Sequence, residues 1–212
     1  GLCRKACRAR IAMAPKNSRG QQKVRAVSKQ AKSNPSVSVV RLIVVDTSYL
    51  LELFQVPDCS SDRAYVPIFQ RFENARRMTD QLQVPLPVLF ELGNHVADVK
   101  NGQERRRLSA MLVETVDIWL SGETPLTIVS SMNDARTVQD FRDAVTGLTQ
   151  EFKTLAPDRQ GLTNAAIALE AKKLRDKHKN SSLKTYLVHI WTTDKKLKAL
   201  EPDAEANAFV GV

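Results

Sequence analysis

The sequence lacks features that mark secreted and membrane proteins. Its three cysteines, Cys3, Cys7 and Cys59, form no paired framework, which argues against a small disulfide-stabilised scaffold. No apolar run approaches the ~20 residues that a membrane span needs. The basic N-terminus also lacks the uninterrupted apolar segment of a signal peptide. These absences predict a cytoplasmic protein with no membrane partner.

Motifs of common enzyme classes are missing as well. The chain has no Gly-rich phosphate loop of the Walker type and no convincing Ser-His-Asp set. Cys3 and Cys7 lie four residues apart, but no His or Cys follows them at zinc-finger spacing. Any chemistry is therefore expected to come from other side chains.

Acidic residues are absent from the first 45 positions, which hold eleven Lys and Arg. The other 167 residues hold 21 basic and 23 acidic groups. Residues 1–36, here called the N-terminal arm, have a composition that predicts disorder in isolation and suits contact with a polyanion. A solubilising tail is the alternative. Met13 looks like a natural start, so residues 1–12 are expected to be vector-derived or upstream sequence.

Residues 37–212 alternate between strand and helix patterns, which predicts one α/β domain with a mainly parallel sheet. Strands are predicted at 38–45, 83–87, 125–131 and 185–191, and the terminal AFVGV is a candidate for one more. Helices are predicted at 47–54, 66–82, 88–100, 103–120, 134–155 and 163–178.

Helical periodicity also predicts which residues face the core. The clearest stripe lies in the helix at 134–155 and comprises Val138, Phe141, Val145, Leu148, Phe152 and Leu155. The preceding helix is expected to turn Leu108, Leu112 and Trp119 inward, and Trp191 is expected to be buried. Thr163 is the predicted N-cap of the last long helix.

Four polar side chains are predicted to meet at one edge of the sheet. Asp46 and Asp194 each follow a strand, Glu91 lies one turn into a helix, and Asn164 opens another helix. In a parallel sheet such positions gather at the carboxyl ends of the strands. Carboxylates held together need a cation or protons, and oxygen ligands favour Mg²⁺ or Mn²⁺. The alternative is that each Asp only caps the helix that follows it.

The segments LIVVDTSYLL, VPLPVLFELGNHV, GLTNAAIAL and WTTDKKL resemble, in order, the four motifs of PIN-domain nucleases. Among these, the chain looks most like the VapC-type toxin ribonucleases. The resemblance runs from about residue 40 to the C-terminus. It implies a three-layer α/β/α fold and Mg²⁺- or Mn²⁺-dependent hydrolysis of phosphodiester bonds, usually in RNA.

Carried over by this resemblance, the catalytic set is Asp46, Glu91, Asn164 and Asp194, and the three acids are the metal ligands. Ser48 would lie beside the metal through its hydroxyl, and Thr193 and Lys195 are weaker candidates for substrate contact or support.

The chain departs from the family pattern in two ways. Asn164 stands where the family usually has an acid, which lowers the expected metal affinity, and Asp158 is the candidate to compensate. Glu91 and Asn164 are also 73 residues apart, farther than in the compact toxins.

Other residues have weaker claims to a role. His95 and Asp98 share a helix face with Glu91, and a structural role is the simpler interpretation of His95. Asp58 and Asp62 follow the first motif in a loop. Together with Lys195, the two lysines Lys196 and Lys198 are candidates for holding substrate phosphates or for a solvated helix face.

The sequence thus predicts a metal-dependent endoribonuclease acting on single-stranded RNA or an exposed loop. It would be either the toxin of a toxin–antitoxin pair, with an antitoxin protein as partner, or an RNA-processing enzyme. The resemblance implies a homodimer. Two alternatives are a catalytically weakened PIN-like module that binds nucleic acid or protein, and a DNA nuclease.

Overall fold

The computed structural model describes residues 38–122, 124–130, 136–182 and 184–211. The predictions for the N-terminal arm fall outside these ranges. The described strands are β1 (Ser38–Val45), β2 (Gln81–Pro85), β3 (Leu126–Val129) and β4 (Lys184–Trp191). The described helices are α1 (Thr47–Phe54), α2 (Asp62–Met78), α3 (Leu86–Ala97), α4 (Gly102–Ser121), α5 (Val138–Leu155), α6 (Leu162–His178) and α7 (Lys195–Lys198), with a 3₁₀ turn at Ala156–Asp158.

The four strands form a parallel sheet in the order β3-β2-β1-β4. β1 is central, and its Leu42–Val45 half is fully buried, as its unbroken apolar pattern predicts. On one face of β4, Tyr186 stacks on His178 of α6. On the other face, Trp191 packs against Tyr49 of α1 and Phe72 of α2. Helices therefore cover both faces, and the predicted three-layer α/β/α architecture with a parallel sheet is confirmed.

Several predicted boundaries were wrong. The helix expected at 66–82 spans Asp62–Met78, and the strand expected at 83–87 spans Gln81–Pro85. Ser61 caps α2 with its hydroxyl, and Pro67 is accommodated in the first turns. Thr163 is not an N-cap, because α6 begins at Leu162 after Gly161. The helix expected from 134 begins at Val138, where Thr137 and Asp140 form a capping box; residues 131–135 are outside the described ranges.

The terminal strand predicted at AFVGV does not form over the described residues 208–211. Carboxylates occupy the free edge of β4 instead of another strand. The backbone N–H of Val188 donates to Asp203 Oδ2 at 2.8 Å, and that of Ile190 donates to Glu201 Oε2 at 3.1 Å. Because side chains already satisfy this edge, the C-terminal residues need not pair with it.

The two long helices that follow β2 differ in how their apolar faces are covered. In α4, Leu108 and Trp119 are buried and Leu112 packs against the core, as predicted. In α5 the prediction of a core stripe was largely wrong, because Val138 is 70% exposed and Phe141 47%. Most of the contacts of α5 are with α6 and the 3₁₀ turn, so only the C-terminal end of its stripe is buried.

None of the helices within the described ranges is both long enough and apolar enough to cross a membrane.

Candidate functional site

Asp46 lies where β1 ends and α1 begins. Its backbone N–H donates to the carbonyl of Trp191 at 2.9 Å, which extends the pairing of β1 with β4 by one residue. Its Oδ1 accepts the N–H of Thr47 at 2.7 Å and so caps α1. The side chain thus fills the cap role that an Asp after a strand commonly has, yet one oxygen remains for other contacts.

The second oxygen of Asp46 is held by two hydroxyl groups. Ser48 Oγ donates to Oδ2 at 2.6 Å, and Thr192 Oγ1 donates to the same atom at 2.7 Å. Burial raises the pKa of Asp46, these hydrogen bonds counteract the rise, and the nearby Glu91 carboxylate adds to it. Burial therefore makes the ionised carboxylate less favourable than it is in water.

Glu91 is half-buried on α3 and faces the same edge of the sheet. Thr47 Oγ1 donates to Glu91 Oε2 at 2.8 Å, while the N–H of Thr47 donates to Asp46. Thr47 therefore links the two acids. Its position directly after Asp46 was visible in the sequence, but its role depends on where α3 packs.

Asp194 follows β4 and caps α7. Its Oδ1 accepts the N–H of Lys196 at 2.8 Å, and its own N–H donates to Thr192 Oγ1 at 2.9 Å. Because Thr192 also donates to Asp46, a single buried hydroxyl connects the loops after β1 and β4. Sequence reasoning did not identify Thr192.

Two side-chain amides approach the other oxygen of Asp194. Gln160 Nε2 donates to Asp194 Oδ2 at 3.1 Å, and Asn164 Nδ2 lies 3.5 Å from the same atom. Asn164 Nδ2 also donates to Gln160 Oε1 at 2.7 Å. Asp158, the candidate to compensate for Asn164, has an exposed side chain, and its backbone carbonyl accepts the Lys196 ammonium at 2.9 Å.

We call Asp46, Glu91, Gln160, Asn164 and Asp194 the Asp46 cluster. Gln160 was missed because it precedes α6, where no helical periodicity connects it to Asn164. Only its tertiary contact with Asp194 reveals it.

The flanking candidates contact the cluster to different extents. Ser48 Oγ accepts the N–H of Thr193 at 3.0 Å, so Ser48 and the backbone of Thr193 help to join α1 to the loop after β4. Lys195 is exposed at the start of α7. Lys198 turns away from the cluster and pairs with Glu201 at 2.6 Å. It is therefore not available for substrate phosphates, contrary to the expectation for the three lysines as a group.

The remaining candidates lie outside the hydrogen-bonded cluster. His95 is partly exposed, and its Nδ1 is 3.6 Å from Cys59 Sγ. Asp58 and Asp98 are exposed, and Asp62 is the first residue of α2. A surface role fits all four better than a role in the site.

No Lys, Arg or His in the described part of the chain forms an ion pair with Asp46, Glu91 or Asp194. Within the same residues, no three His, Cys, Asp or Glu side chains stand close enough to form a ready metal centre. Asp46 and Glu91 both accept hydrogen bonds from Thr47, and the backbone N–H of Asp194 is linked to Asp46 through the Thr192 hydroxyl. The oxygen donors fit a hard cation such as Mg²⁺ or Mn²⁺ in their chemistry.

A scan against protein-family models gives no match for this chain, and a search of curated proteins finds no similar sequence. The resemblance to PIN-domain nucleases therefore stays a prediction from the four segments quoted above.

Proposed function

We propose that this protein is a nuclease that uses Mg²⁺ or Mn²⁺ to hydrolyse phosphodiester bonds in RNA. The observation that carries the proposal is that Thr47 donates to both the buried Asp46 and the half-buried Glu91, with no ion-paired cation beside either acid among the described residues. This pair lies at the carboxyl edge of a parallel sheet, where α/β proteins commonly bind ligands.

The electrostatics of the pair favour a bound cation. Burial is the main cause that raises the pKa of Asp46, its three hydrogen bonds lower it, and the neighbouring Glu91 raises it to a smaller extent. A divalent ion would offset the burial and the neighbouring negative charge, because it interacts favourably with both charged carboxylates. When bound, Mg²⁺ or Mn²⁺ supplies a Lewis acid that activates water and offsets the charge of a phosphodiester.

The side chains around the pair keep its oxygens in place. Thr47, Ser48 and Thr192 donate hydrogen bonds to the carboxylates, and such outer contacts fix the orientation of metal ligands. Asp194 would add a third carboxylate, and Asn164 a neutral amide. In the proposed reaction, the side chains of the protein would orient the acids and supply negative charge to the cation.

The choice of RNA as substrate has two supports, the resemblance to PIN-domain nucleases and the basic N-terminal arm. The arm holds ten Lys and Arg and no acidic residue, a composition that suits contact with a phosphate backbone. Single-stranded RNA or an exposed loop is the proposed substrate form. An antitoxin partner, a homodimer and a cytoplasmic location stay predictions from the sequence.

The test is a cleavage assay with labelled RNA and labelled single-stranded DNA, each run with EDTA, Mg²⁺ or Mn²⁺. Three proteins are compared, namely the wild type, Asp46→Asn, and Asp117→Asn, which changes an exposed residue of α4. The proposal expects RNA cleavage that needs metal, is lost in Asp46→Asn and is unchanged in Asp117→Asn. Cleavage of DNA alone would replace it with the DNA-nuclease alternative.

A second candidate function is a PIN-like binding module with weakened chemistry. It is favoured by Asp194, whose two oxygens are already engaged by helix α7 and by the amides of Gln160 and Asn164. RNA binding without metal-dependent cleavage would support the module and contradict the nuclease.

A further inference from the structure

Gln160 is a buried carboxamide with both ends of its side chain engaged. It lies between the 3₁₀ turn and α6 and is only 5% exposed. Its Nε2 donates to Asp194 Oδ2 at 3.1 Å, and its Oε1 accepts Asn164 Nδ2 at 2.7 Å. The side chain therefore connects the start of α6 to the loop after β4.

The chemistry of these three side chains determines which group donates and which accepts in each of their hydrogen bonds. An ionised Asp194 can only accept, so Gln160 must turn its NH₂ toward it and its carbonyl toward Asn164. Asn164 must then offer its NH₂ to Gln160, and the same nitrogen lies 3.5 Å from Asp194 Oδ2. These hydrogen bonds orient both side-chain amides. Asn164 Oδ1 takes no part in the hydrogen bonds among Asn164, Gln160 and Asp194.

We propose that Gln160 is a positioning residue of the divalent-cation site, where it holds Asn164 and Asp194 in one fixed arrangement. This inference rests on the proposed function, because it assigns Gln160 a role in the site that binds the cation. Residues that orient metal ligands commonly change metal affinity by 10- to 100-fold when they are mutated.

Two substitutions separate the positioning role from simple packing. Gln160→Met keeps the length of the side chain but removes both the donor and the acceptor. Gln160→Glu keeps an acceptor for Asn164 but replaces the donor to Asp194 with a carboxylate. Gln139→Met is the matched control, because Gln139 is exposed on α5 and donates to Asp143 at 2.8 Å in the same way.

Mn²⁺ binding to each purified full-length protein is measured by electron paramagnetic resonance, with no RNA present, and melting temperatures are recorded in EDTA. We expect the wild type and Gln139→Met to bind Mn²⁺ equally and Gln160→Met to bind about tenfold more weakly. Gln160→Glu should bind at least as tightly as the wild type, because its carboxylate keeps the acceptor for Asn164 and adds ligand charge that offsets the lost donor to Asp194. A packing role predicts instead that both Gln160 variants lose affinity in step with their melting temperatures.

The outcomes separate this inference from the proposed function. Wild-type affinity in Gln160→Met, or an equal loss in both variants, would overturn the role of Gln160 even if the wild type cleaves RNA. A selective loss in Gln160→Met without RNA cleavage by the wild type would support the role and contradict the nuclease. A wild type that binds no Mn²⁺ would overturn both.

Discussion

Two groups of buried carboxylates flank β4, and they differ in what neutralises them. Glu205 is the centre of what we call the Glu205 cluster, in which Arg41 and Arg71 pair with it at 2.6 Å and Lys198 at 3.1 Å. Arg41, Arg71 and Glu205 line a cavity of about 450 Å³. In the Asp46 cluster, hydroxyl, amide and backbone N–H groups provide the hydrogen bonds, and no described ion pair reaches its acids.

The pKa values of the two acids move in opposite directions. Burial alone would raise the pKa of Glu205, but Arg71 and Lys198 together lower it below its ordinary value. Burial also raises the pKa of Asp46, and there the hydrogen bonds only counteract the rise. The contrast between an acid neutralised by the protein's own cations and one without them supports our proposal that the Asp46 cluster binds an external cation. In the Glu205 cluster, by contrast, the ion pairs are expected to stabilise the fold.

The largest expected effect comes from removing the charge of Asp46. We expect Asp46→Asn to lower metal-dependent RNA cleavage by at least about 100-fold, since a metal ligand is lost. No ion pair is broken, so the free energy of unfolding in EDTA should change by only about 1 kcal/mol. Single-turnover assays and urea titrations measure both quantities. If Asp46→Asn loses activity because it unfolds, then Asp46, like Glu205, acts on stability and the proposed difference between the clusters is wrong.

The corresponding change in the other cluster should act on stability. Glu205→Gln leaves Arg41, Arg71 and Lys198 without their shared partner, so we expect a loss of about 3 kcal/mol in the free energy of unfolding. Glu114→Gln, on an exposed part of α4, is the control and should cost less than about 0.5 kcal/mol. Urea unfolding measures both variants. A Glu205→Gln variant as stable as the control would mean that the ion pairs contribute nothing net.

A smaller effect is expected when charge is added to the Asp46 cluster. Asn164→Asp should tighten Mn²⁺ binding roughly fivefold, because more ligand charge favours a hard cation. Without metal, the new carboxylate cannot donate to Gln160 or Asp194, so stability in EDTA should fall by about 1 kcal/mol. Mn²⁺ titrations measure the tighter binding, and unfolding with and without metal measures the loss of stability in EDTA. Weaker Mn²⁺ binding would place Asn164 outside the cation's reach.

The smallest expected effect is the pH dependence of the Glu205 cluster. The folded-state pKa of Glu205 is lowered from its ordinary value of 4.5, so its stabilisation is fully present above that pH and is lost as the pH falls through the folded-state pKa. The stability difference between the wild type and Glu205→Gln should therefore shrink as unfolding is measured at successively lower pH below 4.5. A difference that stays constant down to acid unfolding would contradict the assigned pKa shift.

Local patterns in the sequence predicted the fold class, the order of elements and the buried β1 strand. They also placed Asp46, Glu91, Asn164 and Asp194 at the ends of elements that meet at one edge, because parallel strands all point their carboxyl ends the same way.

Tertiary packing decided what the patterns missed. The stripe of α5 defines an apolar face, but periodicity does not say whether another layer covers it, and Val138 and Phe141 are exposed. Gln160 contacts Asp194 from 34 residues away in the chain. The AFVGV segment has strand composition, yet Asp203 and Glu201 already occupy the edge of β4.

The most direct test of the contrast is to grow crystals of the protein, soak them in Mn²⁺ and calculate an anomalous difference map. Our account predicts a peak between Asp46 and Glu91 and none in the Glu205 cluster, where arginine and lysine already neutralise the acid. A map without a peak at Asp46, or with its strongest peak beside Glu205, would contradict it.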